Sequence, residues 1–263
     1  MAHKPSVAVF KFSSCDGCQL SILNMEDELL SLAGAIDIAF FLEATRAQRP
    51  GPYDIALVEG SVTTPHEIER IQEIRRQAKI LIALGTCATA GGIQALRNFT
   101  DAKVYADAVY AHPEYLHYLE KATPIAEHVP VDMELWGCPV NKAQVLEVIV
   151  ALLNNRRPNL PPYTVCMDCK TRGTVCVLVD KGIPCLGPAV QSGCGALCPT
   201  NGRGCYGCFG PARSPNLDSL ANILKKMERY PGETIRLFRG ISGYAPAFNE
   251  TANALMADEK EAK

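Results

Sequence analysis

Short β-branched and aromatic runs alternate with stretches of helical spacing through the first 157 residues. Residues 6–10 (Ser-Val-Ala-Val-Phe) predict a first strand ending at Lys11-Phe-Ser-Ser. Ile22, Met25, Leu29 and Leu32 then recur at 3, 4, 3 spacing, which predicts one amphipathic helix. Residues 36–42 read as a second strand and residues 54–59 as a third, whose nearly continuous apolar run suits a buried parallel sheet. Thr64-Pro65-His66-Glu67 is a helix start, with an N-cap threonine, proline at the first position and glutamate three residues on. Ile68, Ile71, Ile74 and Ala78 form the inner face of that helix, and residues 79–84 are a fourth strand. Gly85-Thr86-Cys87 opens another helix, with small residues through Gly92 that permit close backbone approach.

The pattern blurs over residues 98–130, where residues 112–121 predict a short helix. Residues 131–136 read as a fifth strand, and Asn141 caps a helix that turns Val145, Ile149 and Leu152 inward. Strand–helix alternation of this kind implies an open, doubly wound parallel sheet. Three prolines in residues 158–162 mark the domain boundary. Beyond the boundary, Leu217, Leu220, Leu224 and Met227 predict one more helix, and residues 258–263 a solvated tail.

Composition narrows the function classes. Hydrophobic content of 48% and charged content of 21% are ordinary for a globular protein. A net charge of −2 argues against nucleic acid as a partner, and no apolar run approaches the roughly 18 residues of a membrane span. The N-terminus runs straight toward the first strand without a signal-peptide pattern, so a cytoplasmic address is expected, where disulfides are rarely structural.

The twelve cysteines carry the chemistry. Cys15 and Cys18 follow the first predicted strand, Cys87 the fourth and Cys138 the fifth. In an open parallel sheet those positions converge on the crevice beyond the carboxyl ends of the strands. Glu59 ends the third strand in the same crevice, either as a solvated carboxylate or as an acidic neighbour of whatever the thiols hold. The other eight are Cys166, Cys169, Cys176, Cys185, Cys194, Cys198, Cys205 and Cys208, in a segment rich in Gly and Pro with few packable side chains. Such a segment needs disulfides, zinc or iron–sulfur clusters to hold it. Cys166-x2-Cys169 and Cys205-x2-Cys208 alone resemble a zinc ribbon, but that reading strands the four cysteines between them. Twelve thiols divide into three sets of four, each sufficient for one cubane, and iron–sulfur is favoured on spacing. His66 falls in a solvated first helical turn, His112, His117 and His128 lack ligand spacing, and Trp136, just ahead of Cys138, reads first as a core residue and second as a shield over whatever Cys138 holds.

With these motifs in place, the chain resembles the small, electron-transferring subunit of cytoplasmic nickel–iron hydrogenases. The resemblance rests on Cys15-Asp-Gly-Cys18-Gln, Val58-Glu-Gly-Ser61, Gly85-Thr-Cys87-Ala, Gly137-Cys-Pro139, Pro184-Cys-Leu-Gly-Pro188, Ser192-Gly-Cys194 and Gly204-Cys-Tyr-Gly-Cys208. It implies a flavodoxin-like doubly wound parallel sheet over residues 1–157, followed by a cluster-stabilised, mostly irregular iron–sulfur domain over residues 163–263. It also implies three [4Fe-4S] clusters: proximal on Cys15, Cys18, Cys87 and Cys138; distal on Cys166, Cys169, Cys176 and Cys185; medial on Cys194, Cys198, Cys205 and Cys208. Cys166 stands where many periplasmic members have histidine, and Cys198 where many have proline. Three all-cysteine clusters and the absence of an export-signal pattern resemble the cytoplasmic, multi-subunit members, including the NAD(P)-linked ones also called sulfhydrogenases. Oxygen-tolerant members carry extra cysteines at positions matching Gly17 and Gly92, so tolerance by that device is not expected. The implied partners are a large subunit carrying the nickel–iron site and flavin- and iron–sulfur-bearing NAD(P)-reducing subunits. The alternatives are a hydrogenase feeding a disulfide reductase or a deazaflavin-reducing subunit and, from another class, a zinc-stabilised scaffold.

Overall fold

A computed structural model of the chain describes residues 4–46 and 48–261. The chain divides into two compact units, residues 1–159 and 160–263. In the first unit the strands are β1 (Ser6–Lys11), β2 (Asp37–Phe41), β3 (Tyr53–Glu59), β4 (Ala78–Leu84) and β5 (Met133–Leu135). They form one parallel sheet in the order β2-β1-β3-β4-β5, the doubly wound order of flavodoxin-like folds. The pairings Lys11↔Glu59, Glu59↔Leu84 and Leu84↔Leu135 bring four strands to an end side by side. Every chain segment that leaves them therefore departs from one edge.

The helices are α1 (Gly17–Leu23), α2 (Asp27–Ala35), α3 (Pro65–Gln77), α4 (Gly85–Ala90), α5 (Ala102–Val109) and α6 (Lys142–Leu153). The predicted capping box forms at α3: Thr64 Oγ1 accepts from Glu67 N at 3.3 Å, and a Glu67 carboxylate oxygen accepts from Thr64 N at 3.0 Å. Asn141 caps α6 through Ala143 N at 2.8 Å. One sheet face buries Ala8, Phe10, Ala56, Val58, Leu81 and Ala83 with Ile71 and Ile74 of α3. The alternate residues Val7, Val9, Leu57, Ile82 and Leu84 are buried as well, as expected of strands covered on both faces.

Several expectations are corrected. The single helix through Ile22 and Leu32 is two, broken where Glu26 takes a positive φ of 52° and Met25 is buried in the turn. Ala78 begins β4 rather than ending α3. Residues 112–121 hold only a short 3-10 turn, Pro113–Tyr115, and the helix of this region is α5, upstream. The N-terminal reading falls partly on residues 1–3, outside the described residues.

The second unit holds α7 (Val165–Thr171), α8 (Val177–Asp180), α9 (Leu197–Thr200), α10 (Leu217–Met227), α11 (Glu233–Phe238) and α12 (Pro246–Glu261). The cysteine-bearing stretch is irregular apart from α7, α8, α9 and a short 3-10 turn. It is not without a core: Val165, Val177, Leu186, Val190 and Phe209 pack with Leu220, Leu224, Phe238, Phe248 and Leu255 of the last three helices. Residues 258–260, expected as a tail, continue α12. Among the described residues no helix is long and apolar enough to cross a membrane.

Candidate metal centres

The common edge of β1, β3, β4 and β5 gathers the first four thiols. Cys15 and Cys18 lie on the turn into α1 and in its first turn, Cys87 lies in the first turn of α4, and Cys138 follows β5. A backbone hydrogen bond from Thr86 N to Gly137 O, 2.8 Å, ties the Cys87 segment to the Cys138 segment. Cys18 is buried, Cys87 half-buried, and Cys15 and Cys138 exposed. Burial pushes the Cys18 thiol up, with Glu59, Cys87 and Cys138 adding to it. Burial also pushes Cys87 up to about 11, helped by Cys138 and Cys15. Cys138 is raised by burial and then by Cys15. Cys138 and Cys87 thus act on Cys18, and Cys15 on Cys87 and Cys138.

Glu59 is 2% exposed, which overturns the solvated reading. Its Oε1 accepts from Cys18 N at 3.0 Å, and its Oε2 accepts from Gln19 Nε2 at 2.9 Å and Gln19 N at 3.4 Å. The carboxylate holds the Cys18 turn against the end of β3. Gln94 reaches from the segment after α4: its Oε1 accepts from Cys87 Sγ at 3.3 Å, and its Nε2 donates to Ser13 O at 2.8 Å. In the sequence Gln19 entered only as the last residue of the Cys15-Asp-Gly-Cys18-Gln motif, and nothing marked Gln94, seven residues past Cys87. Trp136 is half-buried with its indole N–H on Glu134, 3.2 Å away, rather than in the core. His66, His112 and His117 are exposed, and His128 bonds Thr123.

A Cβ built on Gly85 would lie 2.3 Å from Cys18 Sγ, and one on Gly92 would lie 2.5 Å from Cys87 Sγ. Two of the four sulfurs thus pack so closely on a glycine that any side chain there would displace them. Four thiols on the segments that leave one sheet edge, with Cys138 and Cys15 raising the thiols near them, fit a group that takes thiolates and supplies positive charge. An iron–sulfur cubane has that chemistry.

In the second unit Cys166 and Cys169 sit on α7, Cys176 is the residue before α8, and Cys185 is buried. Burial pushes Cys166 up to about 11, and Cys185, Cys169 and Cys176 add to the shift. These are the four residues assigned to one set. Cys205 is raised by burial, then by Cys185, Cys208 and Cys194, and Cys198 is raised by burial and then by Cys194. Cys185 borders both sets, since its sulfur accepts from Cys205 N at 3.2 Å and from Gly187 N at 3.4 Å. Ser192 Oγ donates to Asp168 at 2.6 Å, bracing the Cys194 loop on the helix that carries Cys166 and Cys169.

Residues 15–152 match the family described as NADH ubiquinone oxidoreductase, 20 Kd subunit. The delta subunit of sulfhydrogenase 2 from Pyrococcus furiosus is 37% identical over 221 residues, covering 84% of this chain and 92% of that protein. A subunit of the F420-non-reducing hydrogenase vhu from Methanocaldococcus jannaschii is 33% identical, covering 82% of this chain and 85% of its own. A crystal structure of an NAD+-reducing [NiFe]-hydrogenase in the H2-reduced state contains a chain that is 31% identical with a TM-score of 0.56. That match covers 60% of this chain and 96% of the other. The chain belongs to the nickel–iron hydrogenase small-subunit family, the electron-transfer subunits of oxidoreductases that act as complexes.

Proposed function

We propose that this subunit relays electrons between the nickel–iron site of a large subunit and a flavin-bearing NAD(P)-reducing partner. Its twelve cysteines would hold three [4Fe-4S] clusters: proximal on Cys15, Cys18, Cys87 and Cys138, distal on Cys166, Cys169, Cys176 and Cys185, and medial on Cys194, Cys198, Cys205 and Cys208. Bound there, the clusters supply one-electron chemistry, with potentials set by ligation, hydrogen bonds to sulfur and burial. The chain's own part is to fix the thiols. Glu59 positions the Cys18 turn, Gln94 contacts Cys87, and the backbone N–H groups of Cys205 and Gly187 point at Cys185. Twelve reduced thiols suit a cytoplasmic address.

The observation that carries the reading is the placing of four thiols on the segments that leave the common edge of β1, β3, β4 and β5, with Cys18 packed on Gly85 and Cys87 on Gly92. The NAD+-reducing hydrogenase among the structural relatives supports an NAD(P)-linked partner. A disulfide reductase or a deazaflavin-reducing subunit is the alternative acceptor for the same relay, and the F420-non-reducing relative weighs against the deazaflavin one. Anaerobically isolated protein should contain about twelve iron and about twelve acid-labile sulfide per chain, four of each per cubane. Eight iron, or stoichiometric zinc, would overturn the assignment. Mass spectrometry of the intact complex separates the acceptors by identifying the chains that accompany this one.

A further inference from the structure

Cys87 lies against a side-chain amide. Gln94 sits in the 3-10 segment Gly92–Phe99 that follows α4, between the exposed Ile93 and the buried Ala95. Its amide is held at both atoms. Nε2 donates to Ser13 O at 2.8 Å, just beyond β1, and Oε1 accepts from Cys87 Sγ at 3.3 Å. Gly92, with φ +60°, makes room for this contact, since a Cβ there would lie 3.0 Å from Oε1 as well as 2.5 Å from the sulfur. Ser13 is braced in turn. Its hydroxyl meets that of Thr63 and donates to Oε1 of Glu67 at 3.2 Å, in the first turn of α3.

This contact suits a thiol and opposes a metal-bound sulfur. A thiol has one hydrogen to give, and an amide oxygen accepts it. A sulfur that binds metal has lost that hydrogen. Oε1 would then face it as acceptor against acceptor. The same amide carries the remedy, because a half turn about the last side-chain bond, a soft two-fold torsion, exchanges Oε1 for Nε2. Ser13 O can release its donor. It also accepts from Ser61 N at 3.0 Å and from Ser61 Oγ at 3.4 Å, so three donors share the two lone pairs of one carbonyl.

We propose that, once the first set of thiols is ligated, the Gln94 amide turns over and donates Nε2–H to Cys87 Sγ, and that this hydrogen bond raises the potential of the proximal cluster. The inference rests on the relay reading and assigns a tuning residue within it. A ligand sulfur gains negative charge on reduction, so an N–H aimed at it favours the reduced form. Hydrogen bonds to sulfur are among the levers on cluster potential. The second unit has donors of this kind from its backbone, the N–H groups of Cys205 and Gly187 on Cys185 Sγ at 3.2 and 3.4 Å. The competing account is that Gln94 only ties the segment after α4 to the end of β1. Substitution would then move stability and leave the potential alone.

The test uses the anaerobically isolated complex as wild type, as Gln94→Met, which keeps the length without a donor, and as Gln94→Glu, which keeps the shape with acceptors alone. The paramagnetic resonance signal that Cys87→Ser alters identifies the proximal cluster, and its midpoint potential is followed through a redox titration. The midpoint should shift downward in Gln94→Met, and further in Gln94→Glu, where a carboxylate faces the sulfur. Wild type labelled with nitrogen-15 in its glutamine side chains should show a nitrogen coupling to the reduced cluster, and the same labelling of Gln94→Met should lack it. An unshifted midpoint in both variants would overturn the proposal. So would labelled wild type without the coupling, a result that requires no variant to fold. A wild type with no reduced-cluster signal that responds to Cys87→Ser would remove the proximal assignment itself, and the hydrogen bond with it.

Discussion

The side chain of Glu59 and the backbone of Cys18 are joined by a 3.0 Å hydrogen bond within a buried crevice, and the same carboxylate takes two further hydrogen bonds from Gln19. Removing the acceptor strands buried N–H groups, at about 1–3 kcal/mol for each. Glu59→Ala should therefore loosen the Cys18 turn and lower the iron content by up to one cluster, measured as iron per chain. Glu59→Gln keeps one acceptor oxygen and should fall between wild type and alanine. Full iron loading in Glu59→Ala would show that the Cys18 turn holds its place without the carboxylate.

Two glycine substitutions should move stability in opposite directions. Gly85 has φ +84°, and an added Cβ would lie 2.3 Å from Cys18 Sγ. Gly85→Ala combines left-handed strain of about 1–2 kcal/mol with displacement of the Cys18 sulfur, so the unfolding midpoint should drop and, on the proposed ligation, iron content with it. Gly34, inside α2, has nothing within 4 Å of its added Cβ. Gly34→Ala should stabilise by about 0.5–1 kcal/mol, the helical preference for alanine. Denaturant unfolding of both variants checks the pair, and a neutral Gly85→Ala would refute the close approach.

The acid limb of stability should carry a contribution from His128. Burial lowers its pKa from the ordinary value of 6.5, and its Nε2 lies 2.7 Å from Thr123 Oγ1. A base whose folded pKa is depressed contributes fully above its unfolded pKa. That contribution is lost as pH falls from about 6.5 through the lower folded value. His128→Asn should be destabilised at pH 7.5 and show a shallower loss of midpoint between pH 7 and pH 5. Parallel pH profiles of the two proteins would remove His128 from the acid response.

The strands and the first set of thiols were legible because their signals are local. β3 and β4 are unbroken apolar runs, and each cysteine of the first set stands just beyond a strand or in the helix turn that follows one. Parallel topology then does the gathering. α5 escaped because its inward residues are Ala102 and Ala106, while Val104, Tyr105 and Val109 are exposed; an apolar pattern points outward there. The buried role of Glu59 was open because burial at a strand end depends on what packs over it. The core of the second unit was hidden for a similar reason. Leu186, Val190 and Phe209 are scattered among glycines, and their partners Phe238 and Phe248 lie in helices whose spacing gave no clear stripe.

That core determines where iron removal should act. Between Cys169 and Cys185 the only buried side chain before Cys185 itself is Val177, while Lys170, Arg172, Val175, Val179 and Lys181 are exposed. Beyond Val177 only Leu178 and Ile183 reach the core, and those only partly, so on the proposed ligation most of the order of this stretch would come from the metal its thiols would bind. Leu186, Val190 and Phe209, by contrast, are packed against α10, α11 and α12. Anaerobic chelation should therefore erase amide protection across residues 170–184 first. Protection should persist in α10 and α12, and in β1, β3 and β4 of the first unit. Hydrogen–deuterium exchange read by mass spectrometry resolves these segments. Loss of protection throughout residues 160–261 would mean that the apolar core cannot stand without metal. Unchanged exchange over residues 170–184 would mean that the loop is held by something other than its thiols.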